Sequence, residues 1–280
     1  MKLLAPITLA TLGVILAAVT GSRSAVAEEN DAFPAGDLFP DKIALHIGAF
    51  SVFDSATSLT ANGVQTGLGT TIDFERDLDG DTKLTTPFFD AFYRFNDRHR
   101  IELGAFQLDR KGNQSITREI TFRNRTFTAS AEVTSRIENT FYKVAYAYSF
   151  YHLDKVELAI SAGFNVLDYE AELRGSGERF AETASTTAPM PIFGFRMDYS
   201  VTPRLTTRVR TDSFYFDFQD EIRGSLLELQ IGAEYRLLDN LAIGGSLSRL
   251  AIDVEVNDDD LNGTVKDLYR GFRLYGALYF

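Results

Sequence analysis

From residue 41 onward, apolar and polar residues alternate with a period of two almost without interruption. Alternating segments of about ten residues, separated by turn chemistry, predict an all-β chain wound into an antiparallel up-and-down barrel. No convincing amphipathic helix appears. The sharpest turn signals are short: Asn96 to His99, His152 to Lys155, Thr202 to Arg204 and Leu238 to Asn240. The pattern between them predicts ten strands, at residues 42–54, 84–95, 99–110, 132–151, 155–174, 187–200, 204–218, 222–237, 240–255 and 264–280. The short turns follow strands two, four, six and eight, and the C-terminus follows strand ten, so all five fall on one rim. The other rim carries long connections.

Two of those connections retain pattern of their own. Thr71 to Leu78 alternates, and the residues flanking Arg123 and Asn124 read as a hairpin. Both are expected to extend strands above the wall, with kinks near Lys111 to Asn113 and Asp77 to Asp81. If they joined the wall the count would be twelve; eight to twelve brackets the pattern.

Alternation alone does not separate a membrane barrel from a soluble one. The aromatic residues do. Phe89, Tyr93 and Phe95 share one face of the second strand, Tyr142, Tyr146, Tyr148 and Phe150 of the fourth, and Phe193, Phe195 and Tyr199 of the sixth. Tyr235 on the eighth and Phe280 on the tenth complete a ring near the short turns. A lipid-facing girdle explains that repetition, whereas a soluble core has no reason to gather rings at one rim.

The opposite faces carry Asp90, Glu102, Glu157, Asp198, Asp212, Glu228 and Glu234 against Arg94, Lys143, Arg196, Arg208, Arg210, Arg236 and Arg273. About eight strands enclose only side chains and wide channels need roughly sixteen, so a ten-strand lumen is expected to be narrow or plugged. Equal numbers of opposite charges favour a mutually neutralising network. A pore lined by the arginines is the sharper reading, but an anion pore would show a sign excess.

The N-terminus supplies an address. Lys2, an apolar run from Leu3 to Thr20 and a small-x-small ending at Ala25 and Ala27 read as a signal peptide over residues 1–27, ahead of a periplasmic leader at 28–40 and the barrel at 41–280. Cleavage near Ala27 removes Lys2 and Arg23 and takes the net charge from -11 to -13, which leaves no basic footprint for nucleic acid. The chain has no Cys, so disulfide scaffolds and thiolate metal sites are excluded.

Together with the terminal FRLYGALYF, these features resemble Gram-negative outer-membrane β-barrel proteins of the porin-like kind, over essentially the whole mature chain but without identifying a subfamily. The resemblance implies that a C-terminal Phe, with apolar residues at every second position before it, is read by the barrel-assembly machinery. Phe280, Leu278, Leu274 and Phe272 match that pattern, with Gly276 a weak member. Outer-membrane lipid and lipopolysaccharide are the implied surroundings.

Chemistry is harder to find. Outer-membrane acylases, deacylases, phospholipases and omptin-like proteases resemble one another in relying on a His, and this chain has three. His99 and His152 fall in the short turns, and His46 points inward in the periplasmic third of the lumen, away from cell-surface substrates. There is no G-x-S-x-G elbow, and no catalytic residue, cofactor or metal ligand is expected. Asp77, Asp79 and Asp81 alternate as in a calcium loop, but the EF-hand register from Asp77 puts Thr82 where Gly belongs and Phe88 where Glu belongs. Asp253 to Gly263 likewise reads as a solvated acidic turn. The connection carrying Arg118, Arg123 and Arg125 could contact lipopolysaccharide phosphate through charge-assisted hydrogen bonds. The expected protein is a non-enzymatic barrel with a structural or small-solute role; the alternatives are a surface binding module and a barrel enzyme acting on lipid or peptide.

Overall fold

The structure is a computed structural model that describes residues 41–63, 69–153, 155–175, 181–218, 222–257 and 262–280. The expected signal peptide, its cleavage site and the periplasmic leader lie outside the described residues.

Ten long strands form the wall. They are β1 (Ile43–Asn62), β3 (Leu84–Asn96), β4 (His99–Ser115), β7 (Glu132–Leu153), β8 (Val156–Gly175), β9 (Glu182–Ser200), β10 (Leu205–Phe218), β11 (Ile222–Leu238), β12 (Leu241–Asn257) and β13 (Asn262–Tyr279). Neighbours pair antiparallel in chain order, and β13 returns to β1 from Ala44↔Tyr279 to Asn62↔Asn262. Closure removes both sheet edges along that joint, the condition for crossing lipid with strands.

The expected turns join these strands, and three of them share one device. Phe95, Phe150 and Leu237 each sit as the extra residue of a register shift just before a short turn. A bulge there turns one more side chain outward, and all three are exposed. A fourth shift, at Phe53, inverts the alternation of β1. Ala44, His46 and Phe50 face inward below it, and Ser55, Thr57 and Leu59 above it. The kink expected near Lys111 to Asn113 is absent, since β4 pairs with β7 without a break from His99↔Tyr148 to Ser115↔Glu132. Unbroken pairing outweighs the weak strand propensity of a single Gly.

The outer face carries the expected apolar band. Phe193 is 66% exposed and Leu247 65%, and both lie on a belt that also includes Ile47, Ile160, Phe164 and Leu274. Outward positions turn charged above it, at Asp109, Glu138, Asp168, Arg249 and Arg270. From the girdle residue Tyr148 to Glu138 the strand runs roughly the 9–11 residues that a tilted strand needs to cross hydrocarbon. No helix among the described residues is long and apolar enough to cross.

The long connections fold back onto the barrel. Thr71 to Leu78 was expected to be extended; instead β2 (Ile72–Asp73) pairs briefly with β1 and leads into a one-turn helix, α1 (Phe74–Leu78). Asp73 caps it by accepting from the Arg76 N–H at 3.0 Å, and Asp79 ends it in the left-handed conformation at φ 51°. The alternation misled because Phe74 and Leu78, two strand periods apart, are also one helical turn apart, and both are buried. The hairpin expected around Arg123 is present as β5 (Ile120–Phe122) and β6 (Arg125–Phe127), outside the wall, so the wall has ten strands rather than twelve. Ile120, Phe122 and Phe127 are buried in the same cluster as the inward-facing Leu59, Leu108, Val133 and Leu173. The hairpin is therefore a lid on the interior. Its backbone is tied to the rim by Arg123 N–H to Ala61 O at 2.9 Å and Thr70 N–H to Thr121 O at 2.8 Å.

Candidate functional site: the layered lumen

All fourteen charged residues expected in the lumen face inward, and they occupy the half nearer the short turns. A chain of ion pairs crosses this half from wall to wall. Arg94 of β3 holds Glu157 of β8 through two parallel bonds of 3.0 and 2.9 Å. Arg100 of β4 bridges Glu157 at 3.3 Å to Glu102 at 2.9 Å. Arg196 of β9 continues from Glu102 at 3.0 Å to Asp212 of β10 at 2.7 Å, and Lys143 of β7 closes on Asp212 at 2.9 Å. Six strands are linked by one string of alternating charges. Planar guanidinium groups suit such a string because each can hold two carboxylates at once.

Two smaller groups fill the rest. Arg208 binds Glu234 at 2.7 Å and Asp198 at 3.1 Å, with the Tyr279 hydroxyl donating to Glu234. Arg273 holds Glu228 at 3.0 Å and Asp90 at 3.5 Å. At the opening beside the short turns Arg236 is paired with Asp41 at 2.5 Å. Arg210 faces the same space with no hydrogen bond or ion pair among the described residues. Close packing leaves no room for a side chain at Gly194, where an added Cβ would overlap Asp212 Oδ1 and lie 2.6 Å from Arg196 Nη1.

Sequence reading missed Arg100, Arg110, Asp267 and Asn139 as members of the interior. Arg100 has the same parity as Glu102, and that signal was available. Arg110 closes the expected third strand, and it is fully buried, its guanidinium on Ser55, Glu75 and Thr57 and 4.0 Å from Asp267. The extension of β4 five residues beyond the expected end leaves Arg110 within the wall rather than at its rim.

An aromatic layer divides the interior. The Arg273 guanidinium lies 4.8 Å from the Phe50 ring and 5.0 Å from both Phe88 and Phe106, and Phe106 stacks on Phe141 at 4.6 Å. A cation among ring faces is held by their quadrupoles, so the layer is charged at its centre and apolar at its edge. Beyond it, toward the lid, the lining changes to Leu59, Leu167, Ala171, Ile252 and Val254, around a small cavity of ≈ 50 Å³. The lumen is thus charged below, aromatic at the middle and mixed above, where the apolar lining surrounds the buried Arg110, Glu75 and Asp267 group.

The three histidines are apart from one another and from the lid. His46 is buried beside Glu234 at 3.5 Å, edge-on to Tyr275 and Tyr279. His152 Nδ1 lies 3.7 Å from Glu157, and His99 contacts the girdle hydroxyl of Tyr146. In the acidic connection, Asp77 is bound to Arg118 at 2.6 Å and accepts from the Asp73 N–H at 3.0 Å, whereas Asp81 turns to the Lys111 N–H. Burial raises the Asp77 carboxyl, and the hydrogen bonds from Arg118, Asp73 and Arg76 outweigh it, holding it below its ordinary value. Part of the acidic turn at Asp253 to Gly263 lies outside the described residues.

Of the basic residues expected to meet lipopolysaccharide, Arg118 also donates to Thr71 O at 2.8 Å, and Arg123 donates to Thr183 O at 2.5 Å across the mouth. Arg125 opens β6. The terminal Phe272, Leu274, Leu278 and Phe280 all face outward and are exposed, as does Gly276, which has open space beside it.

No protein-family model and no curated protein matches the chain. Solved structures do. The outer membrane protease OmpT of Escherichia coli is 11% identical, with 86% of this chain and 98% of that one covered at a TM-score of 0.52. The translocator domain of the autotransporter NalP of Neisseria meningitidis is 10% identical, covering 85% and 87% at 0.43. The outer membrane protein OprG of Pseudomonas aeruginosa is 10% identical, covering 85% and 95% at 0.39. The likeness to OmpT is one of fold: this chain has the ten-stranded architecture of an outer-membrane β-barrel.

Proposed function

We propose that the protein is a sealed outer-membrane barrel whose charged lumen is a structural filling, not an aqueous pore. The observation that carries this reading is the unbroken string Arg94, Glu157, Arg100, Glu102, Arg196, Asp212 and Lys143 across the periplasmic half. Opposite charges that satisfy one another leave little field for a passing ion, and the lid closes the other end independently. Single-channel recording of purified protein in a planar bilayer tests it. The expected trace has no reproducible steps; steps of uniform size would overturn the reading in favour of a pore.

The non-enzymatic reading is supported by the histidines, of which His46 and His152 are spent on lumen carboxylates and His99 on the girdle. Hydrolysis of lipid or peptide by the purified barrel that is lost in a His46→Ala variant would reverse it. Recognition of Phe272, Leu274, Leu278 and Phe280 by the assembly machinery is supported by their outward array at the last strand; Phe280→Ser should lower the yield of inserted barrel without altering an already folded one.

A role for Arg118, Arg123 and Arg125 toward lipopolysaccharide is supported by the partial exposure of the first two, 45% and 27% of their side chains, although both also tie the lid down. Substituting all three by Ser should weaken lipopolysaccharide binding. Unchanged binding would remove the idea.

A further inference from the structure

One guanidinium in the charged half of the lumen lacks the partner that the others have. Arg210 of β10 stands directly opposite Arg196 of β9 and Gln230 of β11, with no hydrogen bond or ion pair among the described residues. Like charges directly opposite one another across a sheet are unfavourable. Arg196 is relieved by Glu102 and Asp212, so the cost rests on Arg210.

Arg210 lines a cavity of ≈ 30 Å³ between the ion-pair string and the opening beside the short turns. Arg94, Arg100, Arg204, Arg208 and Arg236 line it too, against Asp41, Glu157, Asp198 and Glu234, so six guanidinium groups meet four carboxylates. All four carboxylates are already taken. Asp41 is on Arg236, Glu157 on Arg94 and Arg100, and Asp198 and Glu234 are on Arg208. The other lumen acids of this half, Asp90, Glu102, Asp212 and Glu228, are held deeper in the lumen by Arg273, Arg196 and Lys143. The surplus of positive charge is therefore local to this cavity, although the charged half as a whole is balanced.

Two of the string arginines add a separate observation. Arg94 and Arg100 are 5% and 2% exposed, and Arg94 Nε and Arg100 Nη2 have no hydrogen-bond partner among the described residues. A buried N–H is costly unless something accepts from it. Three arginines around one cavity thus have donors to spare, and the carboxylates beside them are spent.

We propose that this cavity binds one small oxyanion, of the size and charge of inorganic phosphate, taken from solution at the end nearer the short turns and gripped by Arg210. Two N–H groups of one guanidinium match two oxygens of such an ion, a fit that a point charge does not offer. The cavity has room for about two waters, which admits a small ion and not a larger organic ligand. The site lies between the opening and the ion-pair string, so a barrel that passes no current can bind, and one that conducts can fail to.

Calorimetric titration of inorganic phosphate into the purified barrel, in non-ionic detergent and at constant ionic strength set with chloride, tests the site. One saturable site per barrel is expected, with chloride about tenfold weaker or worse because a spherical ion cannot take two parallel N–H bonds. Arg210→Gln should weaken phosphate binding about tenfold or more, since it removes a charged donor. Arg249→Gln, on the outer wall, should leave it unchanged. Gln230→Glu sets a carboxylate directly opposite Arg210 and should displace phosphate with the arginine still in place, which decides the matter if Arg210→Gln does not fold. Binding that does not saturate, that survives in either folded lumen variant, or that falls equally in Arg249→Gln would overturn the site. Chloride binding as tight as phosphate would overturn the choice of an oxyanion. Competition by phosphatidic acid in the same micelles, as strong as by free phosphate, would overturn the choice of a free ion over a lipid headgroup.

Discussion

Two arginines on neighbouring strands, both facing the same lumen, show how far residue-scale chemistry can be separated. Arg196 is buried and touches Glu102 and Asp212, whereas Arg210 makes no ion pair among the described residues. Truncating one partner of a buried pair leaves the others charged and unmatched, at a cost of about 3–5 kcal/mol. Arg196→Ala should therefore lower unfolding stability in urea by that order, and Arg210→Ala by less than about 1 kcal/mol. Equal losses would mean that the string is not the main electrostatic structure of the lumen. The parity of Arg196 and Arg210 was legible from alternation, and so was their inward direction. Their inequality was not, because it depends on Glu102, which lies 94 residues from Arg196 in the chain and reaches it only through closure.

At the scale of elements, local chemistry predicted the strands and the short turns well, because period-two alternation and turn residues act within a few positions. It failed at Thr71 to Leu78, where the same apolar spacing satisfies a strand and one turn of helix, and burial under the lid decided for the helix. It also ended β1 and β4 too early. Above the lipid band, stretches such as Ser55 to Asn62 mix small, polar and apolar residues on both faces, so alternation is weak there, and pairing with β13 shows the strand. The junction of α1 with the lid connection gives a pH prediction. The Asp77 carboxyl is depressed chiefly by Arg118, so its contribution is fully present above the ordinary value of 3.8 and is lost as pH falls through the depressed folded value. Protease nicking within residues 116–131 should rise as pH drops below about 4, and Asp77→Asn should show the raised nicking at neutral pH with no further acid dependence from this pair. A lid whose protection is flat with pH in both proteins would show that the Asp77 to Arg118 contact does not hold it.

For the whole molecule, the order of layers matters more than any single contact. The lid closes the end of the long connections with Ile120, Phe122 and Phe127, the Phe50, Phe88 and Phe106 layer closes around Arg273, and the ion-pair string crosses below. These closures use different physics and share few residues, so removing one should not remove the others. Replacing residues 117–129 by a short Gly-Ser turn should leave the barrel electrically silent while exposing to water the apolar residues that Ile120, Phe122 and Phe127 cover, seen as increased binding of an apolar dye. Adding Arg196→Ser and Glu102→Ser to that deletion cuts the string at its centre with no change in net charge, because one residue of each sign is removed. Conductance should then appear, small and little dependent on ion sign, because equal numbers of each charge leave the lumen without a dominant field. Conductance already present in the lid deletion alone would mean that the lower layers are not a seal, and that the lid is the gate of a pore.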